Sequence, residues 1–539
     1  MAYEESGPET TDGGRFPEIQ RTLSRLLKES TEEKRQFEAD FRECYRFMMP
    51  HRIPPMTEGS TRPQDANDNF TTLGEEVTTD FASDMADTFT PEHAQWAGVE
   101  VASAVPEELK AEVEEAAEAD TNMIFDAITA SNFHEACKQG NKDLAVSAFG
   151  LTIEDVGPGE AFHCQVIPLT ELKILRGMRG GVGTRLWCRK MKVEQIVATF
   201  PMIQKADLPR KVREALSNDK NRHQKFEVVQ GCYEDFSVPG ERAWWNCTMI
   251  AGEVVDAVRR AGDGSANVLV CRWDPDPCFA WGIGPGMKCI ADFRELDETA
   301  YLKMKSMARI IDPPFAYTDD QVMSFETGLS NGVAIPMLEG SEIHIIESQH
   351  GVDATMFALN DVTERVRRHF YLDKPEQPGR TPPTATQWMD EALRNQRRLG
   401  TPASPIWPEF LREAFLRFRY LLIQQGILQP KINVGGQFFP IRPMNPLKRA
   451  AQQEEYMASE RVLTSMANLY GPELLAVTTD VGQTMHNLVS LAHAKGVKLK
   501  KVSEINATLA QMQQAQMAAQ AAQAAGPIMA AAGGARGGA

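Results

Sequence analysis

Two helical stretches with narrow apolar stripes constrain this chain more than any other feature. Phe293, Leu296, Ala300, Met304, Met307 and Ile311 recur at steps of three and four, which aligns them along one side of an α-helix. The other side carries Asp292, Glu295, Asp297, Glu298, Lys303 and Lys305. Asp312-Pro313-Pro314 ends the stretch, because proline lacks the amide donor and the residue before it avoids the helical region. Met356, Leu359, Thr363, Val366 and Phe370 repeat the pattern further on. Stripes this narrow suit helices packed against a few neighbours better than helices sunk in a globular core. The expected packing faces are Phe293, Leu296 and Met304 on the first helix and Met356, Leu359, Val366 and Phe370 on the second.

The remainder of the chain supplies more than one region, because 539 residues exceed what a single core usually holds. After a polar start, Ile19, Leu23, Leu26 and Leu27 predict a helix from Pro17. Ser30 and Glu33 read as a capping box that starts a second helix, which carries Phe37, Phe41, Tyr45 and Met48 and ends at Pro50. Further helices are expected over 71–89 and 106–147. Residues 151–285 alternate β-branched and aromatic runs with glycine-rich turns, the pattern of short strands in an antiparallel sheet or a small barrel. Helix is expected again from Thr384 to about Gln425, with a bend near Gly400–Pro405. A strand-like stretch follows at 431–441 and more helix at 446–494. The alanine- and glutamine-rich end suits a terminal helix, and the glycine-rich residues after Gly526 predict disorder.

Charge restricts the functional classes. The net charge is −17, whereas a protein that grips nucleic acid carries basic surface to neutralise phosphates. Such a chain can still pass DNA that must slide. Arg365, Arg367, Arg368 and His369 form one basic cluster, with Lys374 and Arg380 in the loop beyond. They read either as solvated or inter-subunit ion pairs, or as contacts to DNA phosphates. No run of eighteen apolar residues predicts a membrane span, and the acidic start lacks a leader's apolar stretch. The nine cysteines are scattered without a CxxC pair, so they read as buried reduced thiols with no zinc-ligand spacing.

Other motifs favour no enzyme. WGIGPGMK (281–288) has three glycines but neither the Walker nor the full dinucleotide spacing, and Pro285 removes one donor from any anion nest. It reads as a tight turn from strand to helix. Asp274 and Asp276 in WDPDP lack a third ligand and also read as a turn. No hydrolase, zinc-protease or deaminase signature occurs. The expectation is a non-catalytic protein with no cofactor and no metal.

Several segments, in one order, resemble a known family. RQFEADFRECYRFMMPHR (35–52) resembles an opening helix with a proline stop, and FASDMADTFTPEHAQW (81–96) a helix ending in a threonine-proline turn and a tryptophan. SNFHEACKQGNKDLAVSAFGLTIED (131–155) resembles a helix leading into a sheet, and IPLTELKI and LWCRKMKVEQIVATFP its next strands and short helix. CRWDPDPCFAWGIGPG (271–286) is similar to the turn before the first channel helix, although Ile283 stands where the family often has arginine. TATQWMDEALRNQRRLG, PEFLREAFLRFRYLLIQQGIL and IRPMNPLKRA resemble the long helix and the link beyond it. The family is that of the head-to-tail connecting, or portal, proteins of podovirus-like phages.

The resemblance implies an α+β, predominantly helical subunit of several regions. These are a wing with a small antiparallel β domain (1–286), stem helices at 287–312 and 351–372 around an α/β clip at 313–350, and a channel loop at 373–383. A long wing helix and strand (384–446), a helical crown (447–525) and a disordered tail (526–539) complete it. It also implies a homo-oligomeric ring, typically of twelve subunits, at one capsid vertex, assembled in the host cytoplasm and passing double-stranded DNA non-specifically. Its implied partners are the terminase large subunit, a tail adaptor, and the major capsid and scaffolding proteins, with no membrane anchor. Arg365, Arg368, Lys374 and Arg380 become candidate DNA-channel contacts, and Asp319 and Asp320 candidate clip-docking residues. The alternative is another head–tail junction protein, an adaptor or minor capsid protein.

Overall fold

The computed structural model describes residues 16–52, 68–311, 315–318, 334–337, 344–345, 352–372, 400–444 and 456–466. Left out within those spans are 93–94, 102–105, 219–220 and the single positions 158, 160, 179, 202, 205, 401 and 440, while 468, 484–485 and 488 are described in isolation. The described chain is mixed α and β, about half helical, with small sheets. It divides into two compact units, Met1–Pro443 and Met444–Ala539. In the second unit residues 456–466 are helical.

The first helix departs from the sequence reading. α1 runs unbroken from Pro17 to Met48. Ser30 starts no second helix, because its hydroxyl and that of Thr31 bond back to the Leu27 carbonyl at 3.0 and 2.7 Å and are absorbed inside the helix. α2 follows at Leu73–Phe89, then strand β1 at Gly98–Val101. The stretch expected as one helix over 106–147 is two, α3 (Glu107–Ala130) and α4 (Phe133–Leu144). Ser131 breaks it by turning to extended backbone. The Asn132 side chain then bonds both backbone groups of Cys164, at 2.9 and 2.7 Å.

The β region forms two sheets. β2 (Ala148–Glu154) is the middle strand between β3 (His163–Ile167) and β9 (Val268–Arg272), antiparallel to both. Between them in sequence lies a five-stranded antiparallel meander of β4 (Leu172–Arg176), β5 (Val182–Lys192), β6 (Lys225–Asp235), β7 (Ala243–Ile250) and β8 (Glu253–Ala261). One face of the meander takes the start of α1, where Leu23 is buried with Leu186, Val229 and Met249. The helices α5 (Val193–Thr199) and α6 (Arg210–Ser217) bury Val193, Ile196 and Val212 with its Val228 and Ile250.

The turn α7 (Pro285–Lys288) leads into α8 (Ile290–Ile311). β10 (Phe315–Thr318) then pairs in parallel with β11 (Ala334–Met337) and antiparallel with β12 (His344–Ile345). The helix α9 (Val352–His369) returns beside α8. The bend expected near Gly400–Pro405 precedes a π-helical turn at Ile406–Leu411, continued by α10 (Arg412–Gln424). A hairpin of β13 (Ile432–Val434) and β14 (Gln437–Phe439) follows. The largest core joins α1–α4, the three-stranded sheet, the inner ends of α8 and α9, the π-turn and α10.

Candidate channel-wall helix pair

The pair begins where the glycines of 282–286 press against backbone. A Cβ on Gly282 would stand 2.1 Å from the Trp273 carbonyl oxygen, and one on Gly284 2.3 Å from that of Ala145. The amides that would cradle a phosphate are already used. Ile283 N donates to Asp274 O at 3.3 Å, Gly284 N to Val146 O at 3.0 Å and Gly286 N to Ala145 O at 2.9 Å. The glycines therefore serve close packing. Pro285 then supplies the fixed φ suited to a first helical position. The WDPDP segment is a turn: Asp276 accepts the Cys278 amide at 2.7 Å, and Asp274 meets Lys288 at 2.6 Å.

Both helices are anchored at this end by aromatic side chains. Phe293 stacks on Phe47 with ring centres 5.8 Å apart and meets Phe370 edge-on at 6.2 Å. Phe370 meets Phe81 at 6.0 Å, and Phe81 meets Trp273 at 5.2 Å. Each such pair adds about 0.5–1.5 kcal/mol beyond the burial itself. α9 closes with Tyr371 at φ 62°, while Leu372 N donates to Arg367 O and Tyr371 N to Arg368 O. That is a left-handed helix cap, usually given to glycine. Tyr371 holds it with its ring 5.8 Å from Trp273.

The stripes change character along their length. Phe293, Leu296, Val366 and Phe370 are buried, and Leu359 is half-buried. Further out on the stripes, Met304, Met307 and Met356 are exposed and Ile311 is 82% exposed; Phe357, which lies off the stripe, is 79% exposed. The outer halves thus present apolar side chains to solvent in the single chain. Across the pair, Arg365 reaches Glu295 at 2.8 Å and Asp292 at 3.3 Å, and within α9 it reaches Asp361 at 3.5 Å. The Glu295 hydrogen bond holds its guanidinium pKa above the ordinary value. Arg367 reaches Glu76 at 2.7 Å, and Arg368 is exposed. Of the basic candidates, Lys374 and Arg380 lie outside the described residues, as do Asp319 and Asp320.

Two features of this region were not readable in the sequence. Arg272, on β9, is buried and makes a two-point contact with Glu409 of the π-turn, with a further bond to the Ala280 carbonyl at 2.8 Å. The second lies at the base of the pair. Cys289, Asp292 and His369 bring one ligand atom each to within 4.8 Å of one another. Cys289 and His369 are far apart in sequence, so no spacing motif marks them. The nine cysteine thiols are free, and all but Cys278 are buried or partly so. Burial pushes the Cys289 thiol up to about 12.

The model of the bacteriophage head to tail connecting protein family matches residues 20–500. The chain belongs to that family. No curated protein matches the connector chain. Membership makes it a phage portal, or connector, protein of the virion, at the head–tail junction, where it meets capsid and tail components. Among the described residues no helix is long and apolar enough to cross a membrane.

Proposed function

We propose that the connector chain is the non-catalytic subunit of a podovirus-type portal, a ring of twelve copies through which double-stranded DNA is packaged and ejected. One observation carries this reading: the α8–α9 stripes are buried at the inner end and exposed at the outer end. A stripe that is half core and half surface is completed by the next subunit's helices around the ring. The pair then forms the channel wall. A net charge of −17 suits a wall along which DNA slides rather than sticks.

In this reading Arg365 is chiefly a brace between the two helices, since two carboxylates of α8 engage it. Arg368, Lys374 and Arg380 carry the few basic contacts to passing phosphates. The segment 313–350, with Asp319 and Asp320, docks the terminase large subunit during packaging and the tail adaptor afterwards. The wing faces the major capsid and scaffolding proteins during assembly in the host cytoplasm.

The test is a variant with Met304→Asp and Met356→Asp together, compared with wild type by sedimentation. Both side chains are exposed in the subunit, so the variant keeps its fold and thermal midpoint. The reading expects wild type to sediment as a ring and the variant as subunits. A variant that still forms rings as readily as wild type sinks it.

A further inference from the structure

We propose that Cys289, Asp292 and His369 form a binding site for a divalent transition metal ion of the zinc class, which clamps α8 to α9 at the base of the pair. Their ligand atoms lie within 4.8 Å of one another, close enough for small side-chain rotations to bring all three onto one ion. The set is one thiolate sulfur, one imidazole nitrogen and one carboxylate oxygen. That combination selects zinc or cobalt over magnesium or calcium, which take oxygen ligands. Three protein ligands leave a fourth tetrahedral position for water.

The surroundings favour a cation. Asp292, Glu295 and Asp361 face a single guanidinium, that of Arg365. Of the cations beside the ligands in sequence, Lys288 also pairs with Asp274 and Arg367 with Glu76. A carboxylate has two oxygens, so Asp292 can keep Arg365 on one and hold the ion with the other. Cys289 is buried, Asp292 half-buried and His369 exposed, so the site opens to solvent on the His369 side. On binding, the Cys289 thiol gives its proton to solvent and its sulfur lone pair to the metal, one proton released per ion.

The site lies at the mechanical root of both helices. Cys289 stands four residues before Phe293, and His369 directly precedes Phe370, the two rings that meet in the core. A bound ion fixes the first turn of α8 to the last turn of α9 and so sets the angle at which the pair leaves the core.

The experiment is a titration of the full-length reduced protein with Co²⁺, followed by the thiolate-to-cobalt absorption in the near ultraviolet and then by displacement with Zn²⁺. The expected result is a band that saturates at one equivalent per subunit and bleaches on adding zinc. Cys289→Ser abolishes the band, and Cys278→Ser, at the exposed thiol, leaves it unchanged. His369 is exposed, so His369→Gln folds normally and weakens affinity by about tenfold or more. No thiolate band, a band that survives Cys289→Ser, a band lost in Cys278→Ser, or unchanged affinity in His369→Gln would each overturn the proposal. If Cys289→Ser does not fold, the His369→Gln affinity decides.

Discussion

Arg272 and Glu409 are joined by a pair of side-chain hydrogen bonds, from Nε at 2.8 Å and from the second terminal nitrogen, although the two residues stand far apart in sequence. The guanidinium is almost fully buried, and its remaining terminal nitrogen donates to the Ala280 carbonyl. The contact fastens β9 to the π-turn that leads into α10. It also fixes the 273–284 turn, from which the α8–α9 pair departs.

Removing one member leaves the other charge buried and unpaired. Arg272→Met should therefore cost about 3–5 kcal/mol in urea unfolding, whereas Arg272→Met with Glu409→Leu should recover much of that loss. A lysine at position 272 cannot reproduce the two-point contact and should fall between wild type and Arg272→Met. Additive losses in the double variant would mean that the two side chains do not act as a pair.

The stripes predict opposite outcomes along one helix. Phe293→Ala removes a buried ring and should cost about 3–5 kcal/mol in the isolated subunit. Met304→Ala, on the same stripe but exposed, should change subunit stability by no more than about 0.5 kcal/mol. Denaturation midpoints under subunit conditions compare them directly. Equal losses would contradict the division into a buried root and an exposed outer half.

Much of this was legible in the sequence, and the rest was not for physical reasons. Periodicity located both helices of the pair, because a stripe repeats within one element. The turn at 281–288 was legible because glycine and proline have few backbone roles. Ser30 misled, because a capping residue and one bonded back inside a helix look alike without coordinates. Arg272 with Glu409, and Cys289 with His369, are contacts between distant elements, which residue spacing does not encode. The outer halves of the stripes lie between these cases. Their apolar character is in the sequence, but their exposure emerges only when the chain is folded.

Gly284 should tolerate no side chain. A Cβ there would stand 2.3 Å from the Ala145 and Val146 carbonyl oxygens, which belong to the rigid link between α4 and β2. Gly284→Ala should lower the thermal midpoint by several degrees or block soluble expression, while Gly181→Ala, where a Cβ meets open space, should do neither. A Gly284→Ala protein as stable as wild type would show that this close approach does not constrain the turn.

Lys34 gives the subunit a distinct pH dependence. Its ammonium is fully enclosed and donates to the carbonyls of Leu169, Thr170 and Leu172, and burial draws its pKa down to about 7. The unfolded chain keeps the proton to much higher pH. Above about 7, then, the unfolded state binds the extra proton and stability rises with pH, by up to about 1.4 kcal/mol per unit. Below about 7 both states hold the proton and the contribution flattens. Urea midpoints of wild type and Lys34→Met at about pH 7 and pH 8.5 isolate this slope, which the variant should lack. Identical slopes would contradict it.

Electron microscopy of the purified full-length protein tests the central claim most directly. The account predicts closed rings with a central hole wide enough for a DNA duplex, lined by the α8–α9 pairs with Met304 and Met356 buried between neighbours. Monomers alone, or rings in which those side chains face solvent, would contradict it.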